Sequence, residues 1–317
     1  MKGRRILVTG GTGFIGRFAM EALANAGAEL LCFGRRPPET NREEILFFQG
    51  DLTDPGALVP IVRDKEVDTI VHLAGFGTTR VQSNPQPGVM VNVMGTSNVL
   101  EAARMAKLRV IFTSSIAVYG KVGPRRASGV GEDDEVNPVT VYGAGKLLCE
   151  KIGQAYAQNY GVMFVALRLT AVYGFTNLAG REVEHPTFSD HAKRVIELPL
   201  SGKPVLVETG GRQPCDFVYV KDVAQAIAKA CTAEHLEHRV FNIGSGELRT
   251  LKDFEQIVRH YKTDVDVTIG EEPNLAYPFM GPVDISLAID ELGYKPTPFL
   301  ECIHDYIAIT QNKGALS

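Results

Sequence analysis

At 317 residues the chain is too long for most single hydrophobic cores and suits one large domain with a smaller one attached. Its composition, 44% hydrophobic and 22% charged, is that of an ordinary globular protein. A formal net charge of -4 argues against a nucleic-acid binder, and no run approaches the ~20 apolar residues that span a membrane, so neither is expected as a partner.

Residues 4–8 read as a strand, 14–26 as a helix, 29–33 and 45–49 as strands, and 56–63 as a helix. A strand at 68–73, a helix at 89–106, a strand at 110–113, a helix at 141–159 and a strand at 163–169 follow. The apolar runs are continuous rather than alternating, which suits strands covered on both faces. This alternation predicts an α/β fold with a doubly wound parallel sheet and ligands at the strand carboxyl ends. Past residue 170 the pattern loosens, with helical stretches at 223–232 and 251–261 and a strand at 240–243 that returns to the main sheet. The expected division is a dinucleotide-binding domain over 1–170, plus that returning strand, and a smaller interleaved C-terminal substrate domain over 171–317.

Five cysteines, at 32, 149, 215, 231 and 302, show no C-x-x-C spacing and read as reduced thiols. Met1-Lys2-Gly3-Arg4-Arg5 leads into an apolar run too short for a signal peptide, so a cytoplasmic location is expected. His235 and His238 lack a third ligand nearby, and no metal site is expected. The acidic run Glu132-Asp133-Asp134-Glu135 reads as a solvated loop, and His72 as a buried structural histidine.

Gly10-Gly11-Thr12-Gly13-Phe14-Ile15-Gly16 stands between the first strand and the first helix, the context that makes a glycine motif a dinucleotide site. Gly10 permits the tight turn, Gly13 lets the backbone approach a pyrophosphate, and Gly16 lets helix pack on strand. The helix N-terminus presents free N–H groups to the phosphates, with Thr12, Phe14 and Ile15 completing the binding loop. Enzymes of this fold that use NAD usually end the second strand with an acid on the ribose 2′-OH. Here Gly34 holds that place, followed by Arg35 and Arg36. Two guanidiniums beside a glycine suit a 2′-phosphate, so NADP is expected, with NAD as the alternative.

Tyr142 and Lys146, four apart, share a helix face. An ammonium nearby and the oxidised nicotinamide would both favour the phenolate and lower a pKa that is ordinarily ~10. Tyr142 then exchanges a proton with a substrate hydroxyl, and Ser115 at the end of the fifth strand bonds the substrate oxygen. Gly143 and Gly145 in the same helix each cost roughly 1 kcal/mol relative to alanine. Close approach of cofactor or substrate is the expected reason for them.

The G-x-x-G-x-x-G spacing is joined by Gly50-Asp51-Leu52-Thr53-Asp54, His72-Leu73-Ala74-Gly75, Asn92-Val93-Met94-Gly95-Thr96, Thr113-Ser114-Ser115, Tyr142-x-x-x-Lys146, Asp216-Phe217-Val218-Tyr219-Val220 and Phe241-Asn242-Ile243-Gly244-Ser245-Gly246. Together they resemble the extended short-chain dehydrogenase/reductase superfamily, in its NAD(P)-dependent epimerase/dehydratase family, over nearly the whole chain. The resemblance implies a Rossmann fold in which Asp51 and Leu52 border the adenine and Leu73, Ala74 and Gly75 line the cofactor. It also implies Asn92 and Lys146 at the nicotinamide ribose, Thr113 among the cofactor residues, and a homodimer through the helices at 89–106 and 141–159.

Departures from the family narrow the substrate. Ile116 and Ala117 stand where its dehydratases carry an Asp-Glu pair, which argues against a 4,6-dehydratase. Ala171 and Cys215 replace an asparagine and an arginine that hold the sugar nucleotide in UDP-sugar 4-epimerases, and a second arginine is missing from 274–282. Arg181 and Arg212 are the candidates to replace them. The favoured reading is a reductase or dehydrogenase moving hydride at a C–OH/C=O of a sugar-like or other small substrate. A nucleotide-sugar epimerase is the alternative. A non-catalytic NADP sensor is the third reading, set aside because Ser115, Tyr142 and Lys146 are all present.

Overall fold

The computed structural model describes residues 1–38, 42, 44–121, 129–176, 186–274 and 281–314. Twelve strands form among them: β1 (Arg5–Thr9), β2 (Glu29–Gly34), β3 (Leu46–Gln49), β4 (Thr69–His72), β5 (Arg109–Ser115), β6 (Met163–Leu169), β7 (Ala171–Tyr173), β8 (Val205–Val207), β9 (Cys215–Tyr219), β10 (Val240–Ile243), β11 (Leu248–Arg249) and β12 (Val267–Ile269). Seven build a parallel sheet in the order β10-β6-β5-β4-β1-β2-β3. The chain winds outward from β1 to β3, then returns to β4 and winds the other way. That reversal opens a crevice at the carboxyl ends of β1 and β4, where ligands bind such sheets.

Successive residues of β1 serve opposite cores. Ile6 and Val8 pack with residues of the helices Phe14–Asn25 and Val220–Thr232. Leu7 packs with those of Gly95–Ala106. Both faces are therefore covered, as the unbroken apolar runs require. β10 lies beside β6, from Val240 opposite Ala166 to Ile243 opposite Leu169. β5 runs two residues beyond its apolar stretch, because the ladder to β6 carries Ser114 and Ser115 along. The helix expected over 89–106 is broken by a π-helical turn at Met90–Met94.

Past residue 170, β11, β9 and β7 form a three-stranded sheet and β12 and β8 a two-stranded one. The helices Phe188–Leu200, Ser286–Leu292 and Phe299–Gly314 join the two read from sequence. An aromatic cluster that includes Tyr173, Phe217 and Phe254 fills this part. Thr187 with Asp190, and Thr250 with Asp253, form capping boxes. The first, with Phe188, Ala192, Val195 and Ile196 at helical spacing, was a legible signal for a helix missing from the expected elements.

A buried ion pair crosses the main core. Arg168 on β6 meets Glu150 on the helix Val141–Tyr160 in a fork, Nε to Oε1 at 3.0 Å and Nη2 to Oε2 at 2.8 Å. Both side chains are almost wholly buried. Ser114 Oγ donates to Glu150 at 2.5 Å, and Arg168 Nη1 donates to the Tyr119 hydroxyl at 2.8 Å. Tyr119 passes the chain to Asn242 Oδ1 on β10 at 2.8 Å. The acidic run is only partly solvated, in contrast to the sequence expectation. Asp133 and Glu135 are exposed. Glu132, however, accepts the Asn242 N–H at 2.6 Å, gives its carbonyl to Arg168, and has its carboxyl pKa raised by burial.

Removing one member leaves the other charge buried and unpaired, at a cost of about 3–5 kcal/mol. Arg168→Met should therefore lower the urea midpoint sharply, and adding Glu150→Leu should recover much of the loss. Equal losses in the single and double variants would show that the pair does not carry this role.

Candidate active site

Gly10 adopts φ +76°, and a Cβ there would lie 2.5 Å from Ala74 N, so the first loop is pressed against the end of β4. A Cβ on Gly16 would fall 2.1 Å from the Gly10 carbonyl oxygen. The helix thus packs against its own loop, where the sequence suggested the strand. Gly13 caps the helix Phe14–Asn25 without any side-chain bond, and a Cβ on it would meet only Gly10 O, at 3.2 Å. Its outer side is open, a cradle for a phosphate that a side chain would fill. Thr12 is exposed, and Phe14 and Ile15 are half-buried.

Just past β2, Arg35 and Arg36 are exposed, and neither guanidinium is ion-paired among the described residues. A Cβ on Gly34 would find only Arg36 O, at 3.9 Å, so the strand end is open too. Asp51 accepts the N–H and hydroxyl of Thr53 at 2.9 and 2.8 Å, bonds that hold its carboxyl below the ordinary range. Leu52 is buried beneath Gly95. Leu73 N donates to Thr9 O, and Ala74 and Gly75 carry the chain across the crevice. Asn92, on the π turn, clamps Phe76 from both sides: Phe76 N donates to Oδ1 at 2.7 Å, and Nδ2 donates to Phe76 O at 2.9 Å. Its amide braces the loop carrying Gly75, a role that the motif did not foretell.

The residues read as a chemical centre do converge. Thr140 caps the helix Val141–Tyr160 by accepting Gly143 N–H at 3.0 Å. The half-buried Tyr142 adjoins Ser115, whose Oγ accepts the Ala117 N–H at 3.1 Å. Lys146 is buried, donates to Thr113 O at 2.6 Å and lies 4.6 Å from the Phe112 ring centre. Thr113 Oγ1 in turn donates to His72 O at 3.2 Å. The end of β5 therefore gathers all three groups, holding Lys146 through the Thr113 carbonyl, with Ser115 beside Tyr142.

Two sequence expectations change here. Burial pushes the Tyr142 phenol up, with the neighbouring Ser115 hydroxyl pulling the other way, whereas an ammonium was expected to lower it. Lys146 Nζ lies 5.8 Å from the Tyr142 ring centre and donates to Thr113 O rather than to the phenol. Gly143 needs no ligand to explain it, because a Cβ there would lie 2.4 Å from the Ala117 carbonyl oxygen. Nothing in the structure explains Gly145, which has only an ordinary contact with Val93.

His72 is buried between Thr9 Oγ1 at 2.7 Å and Thr96 Oγ1 at 3.0 Å, and burial followed by the Lys146 charge lowers its pKa to about 3. It is a neutral structural histidine, as expected. Arg212 is exposed and paired with Glu271 at 3.0 Å, while Arg181 lies outside the described residues. Burial pushes the Cys215 thiol up, so it stands neutral where a cation was looked for. His238 pairs with Glu291, and no group of three potential metal ligands exists among the described residues. No helix among them is long and apolar enough to cross a membrane.

The profile of the NAD dependent epimerase/dehydratase family matches residues 6–244. The chain belongs to that family. It is 29% identical to a putative UDP-glucose 4-epimerase of Methanocaldococcus jannaschii over 92% of this chain and 93% of that one. UDP-glucose 4-epimerase of Thermus thermophilus, solved in complex with NAD, superposes with a TM-score of 0.82 at 26% identity over 97% of this chain and 99% of that one. L-threonine dehydrogenase of Clostridium difficile gives 0.83 at 24% identity over 99% of each chain, a likeness of fold alone.

Burial places the Lys146 pKa at about 8, below its ordinary 10.5. Between those values the unfolded chain binds the extra proton, so this lysine makes the fold more stable as pH rises through that window. Lys146→Met removes the effect. The stability of this variant relative to wild type, from urea unfolding, should fall as pH climbs from about 8 to 10.5. A difference independent of pH would refute the assignment.

Proposed function

We propose that the protein is an NADP-dependent oxidoreductase that moves hydride at a C–OH/C=O carbon of a sugar-like or other small substrate. The observation that carries this is the meeting of Ser115, Tyr142 and Lys146 at the carboxyl end of β5, beside the glycine loop. The open side of Gly13 and the uncapped helix behind it fit a dinucleotide pyrophosphate, held by Gly10, Thr12, Gly13, Phe14, Ile15 and Gly16. Asp51 and Leu52 would border the adenine, and Leu73, Ala74, Gly75, Asn92, Thr113 and Lys146 the rest of the cofactor. When bound, the nicotinamide supplies the hydride acceptor or donor.

The protein's own part is proton transfer and orientation. Tyr142 takes the hydroxyl proton of an alcohol substrate, or returns it to a carbonyl oxygen in the reverse direction. Ser115, beside Tyr142, holds the same oxygen and stabilises charge developing on it. Lys146 lies close enough to favour the phenolate once a cationic ring joins it in this dry site. We assign 1–170 with β10 to the cofactor, and 171–317 mainly to the substrate. Arg35 and Arg36, exposed beside the open Gly34, favour a 2′-phosphate, and a consumable NADP suits net redox chemistry.

A screen of sugars, sugar nucleotides and small ketones with each cofactor, followed by nicotinamide absorbance, tests this directly. NADP should bind at least tenfold better than NAD, and Arg35→Ala with Arg36→Ala should erase the preference. Tyr142→Phe should lower kcat by 10²-fold or more while cofactor binding persists. Comparable affinity for both cofactors would sink the NADP assignment, and unchanged turnover in Tyr142→Phe would sink the mechanism. A second reading, a nucleotide-sugar 4-epimerase, is favoured by the relative named as such over nine-tenths of both chains. Isomer exchange without net absorbance change would establish that reading instead.

Exposed apolar side chains on the two helical segments, Val89, Met90 and Met94 on one and Val141 and Leu148 on the other, support a homodimer through these faces. Sedimentation should report twice the chain mass, and a monomer would refute it.

A further inference from the structure

Lys193 on the helix Phe188–Leu200 is 6% exposed. Its ammonium donates to Asp190 Oδ1 at 3.0 Å and lies 4.4 Å from the centre of the Phe14 ring. An ammonium has three N–H donors. One carboxylate oxygen and one ring face leave two of them without a hydrogen-bond partner among the described residues. Such a group is costly to bury unless further acceptors reach it.

Asp190 is a shared partner. Its Oδ2 accepts the Thr187 N–H at 3.0 Å and the Thr187 hydroxyl at 2.6 Å, so this carboxylate also caps the helix. Phe14 is the first helical residue after Gly13, the glycine whose outer side is open. A nearly buried cation, from a helix far away in sequence, therefore sits against the side chain of the first residue of the helix that starts at this glycine. Arg212 faces Glu271 on the surface and Cys215 is neutral, so neither competes for this place.

We infer that Lys193 is a phosphate-binding cation, completing from the second half of the chain a site for a phosphate or diphosphate seated over the glycine loop. The inference rests on the proposed function only in that a dinucleotide binds this loop. Two sources share the chemistry: the pyrophosphate of that dinucleotide, and a phosphate carried by the substrate.

Titration calorimetry on the full chain separates them, using NADP+ or NAD+, whichever binds wild type, and then UDP added to the cofactor-saturated protein. Lys193→Met should weaken one ligand by about tenfold or more, the loss expected for a charge-assisted hydrogen bond. A loss in the dinucleotide arm identifies the cofactor pyrophosphate, and a loss confined to UDP identifies the substrate phosphate. Lys193→Arg should stay within about threefold of wild type. Asp190→Asn keeps a cap acceptor but removes the competing charge, and should tighten the same ligand. A purely structural lysine would lower the melting temperature in Lys193→Met and Asp190→Asn alike and leave both affinities within twofold, which overturns the inference. Should Lys193→Met fail to fold, unchanged or weaker binding by Asp190→Asn overturns it equally. A wild-type protein that binds no dinucleotide fails the proposed function itself, and this inference with it.

Discussion

The Glu150–Arg168 pair is the interaction on which the arrangement of the centre depends. Its members lie on the helix Val141–Tyr160 and on β6, with side chains almost wholly removed from water. Charges so placed persist only when their hydrogen-bonding capacity is met, and here Ser114 and Tyr119 meet it. The consequence is geometric. Ser114 precedes Ser115, and Glu150 lies one helical turn beyond Lys146. A fork between β6 and that helix therefore fixes the helix in rotation and height against β5. Tyr142 then meets Ser115, and Lys146 meets the carbonyl of Thr113.

The other half of the crevice is set by close backbone approach. Gly10 abuts Ala74, and Gly16 abuts Gly10, at distances that exclude any Cβ. These contacts lock the first loop onto the end of β4, while Asn92 braces the next residues by both ends of its amide. The outer side of Gly13 stays open as a result. A rigid, uncapped helix start facing an open groove is suited to anions, because its N–H groups need not rearrange to meet them.

Electrostatics in the centre are held in reserve. Burial disfavours the ammonium of Lys146 and the phenolate of Tyr142 alike. The protein alone therefore keeps the tyrosine protonated, and the balance shifts only when a ligand brings charge into the dry site. The same low polarity makes Lys193 informative: a buried cation with unspent donors signals an anion in a way that the exposed Arg212 does not.

Sequence alone determined the sheet and the elements that line it. Unbroken apolar strands, the glycine loop and the Tyr142/Lys146 spacing are local patterns, and local geometry gives them meaning. They returned residues 240–243 to the main sheet and set Ser115 at a strand end, and the structure puts the returning strand beside β6. Tertiary structure decided what depends on partners distant in the chain. The reason for Gly143 is the carbonyl of Ala117, the acidity of Tyr142 follows from burial, and Glu132 is drawn from solvent by Asn242. Lys193, a lysine on an amphipathic helix, gains its significance only from Phe14, at the start of the first helix. Desolvation and close approach are properties of the packed interior, and no window of sequence contains both sides of the contact.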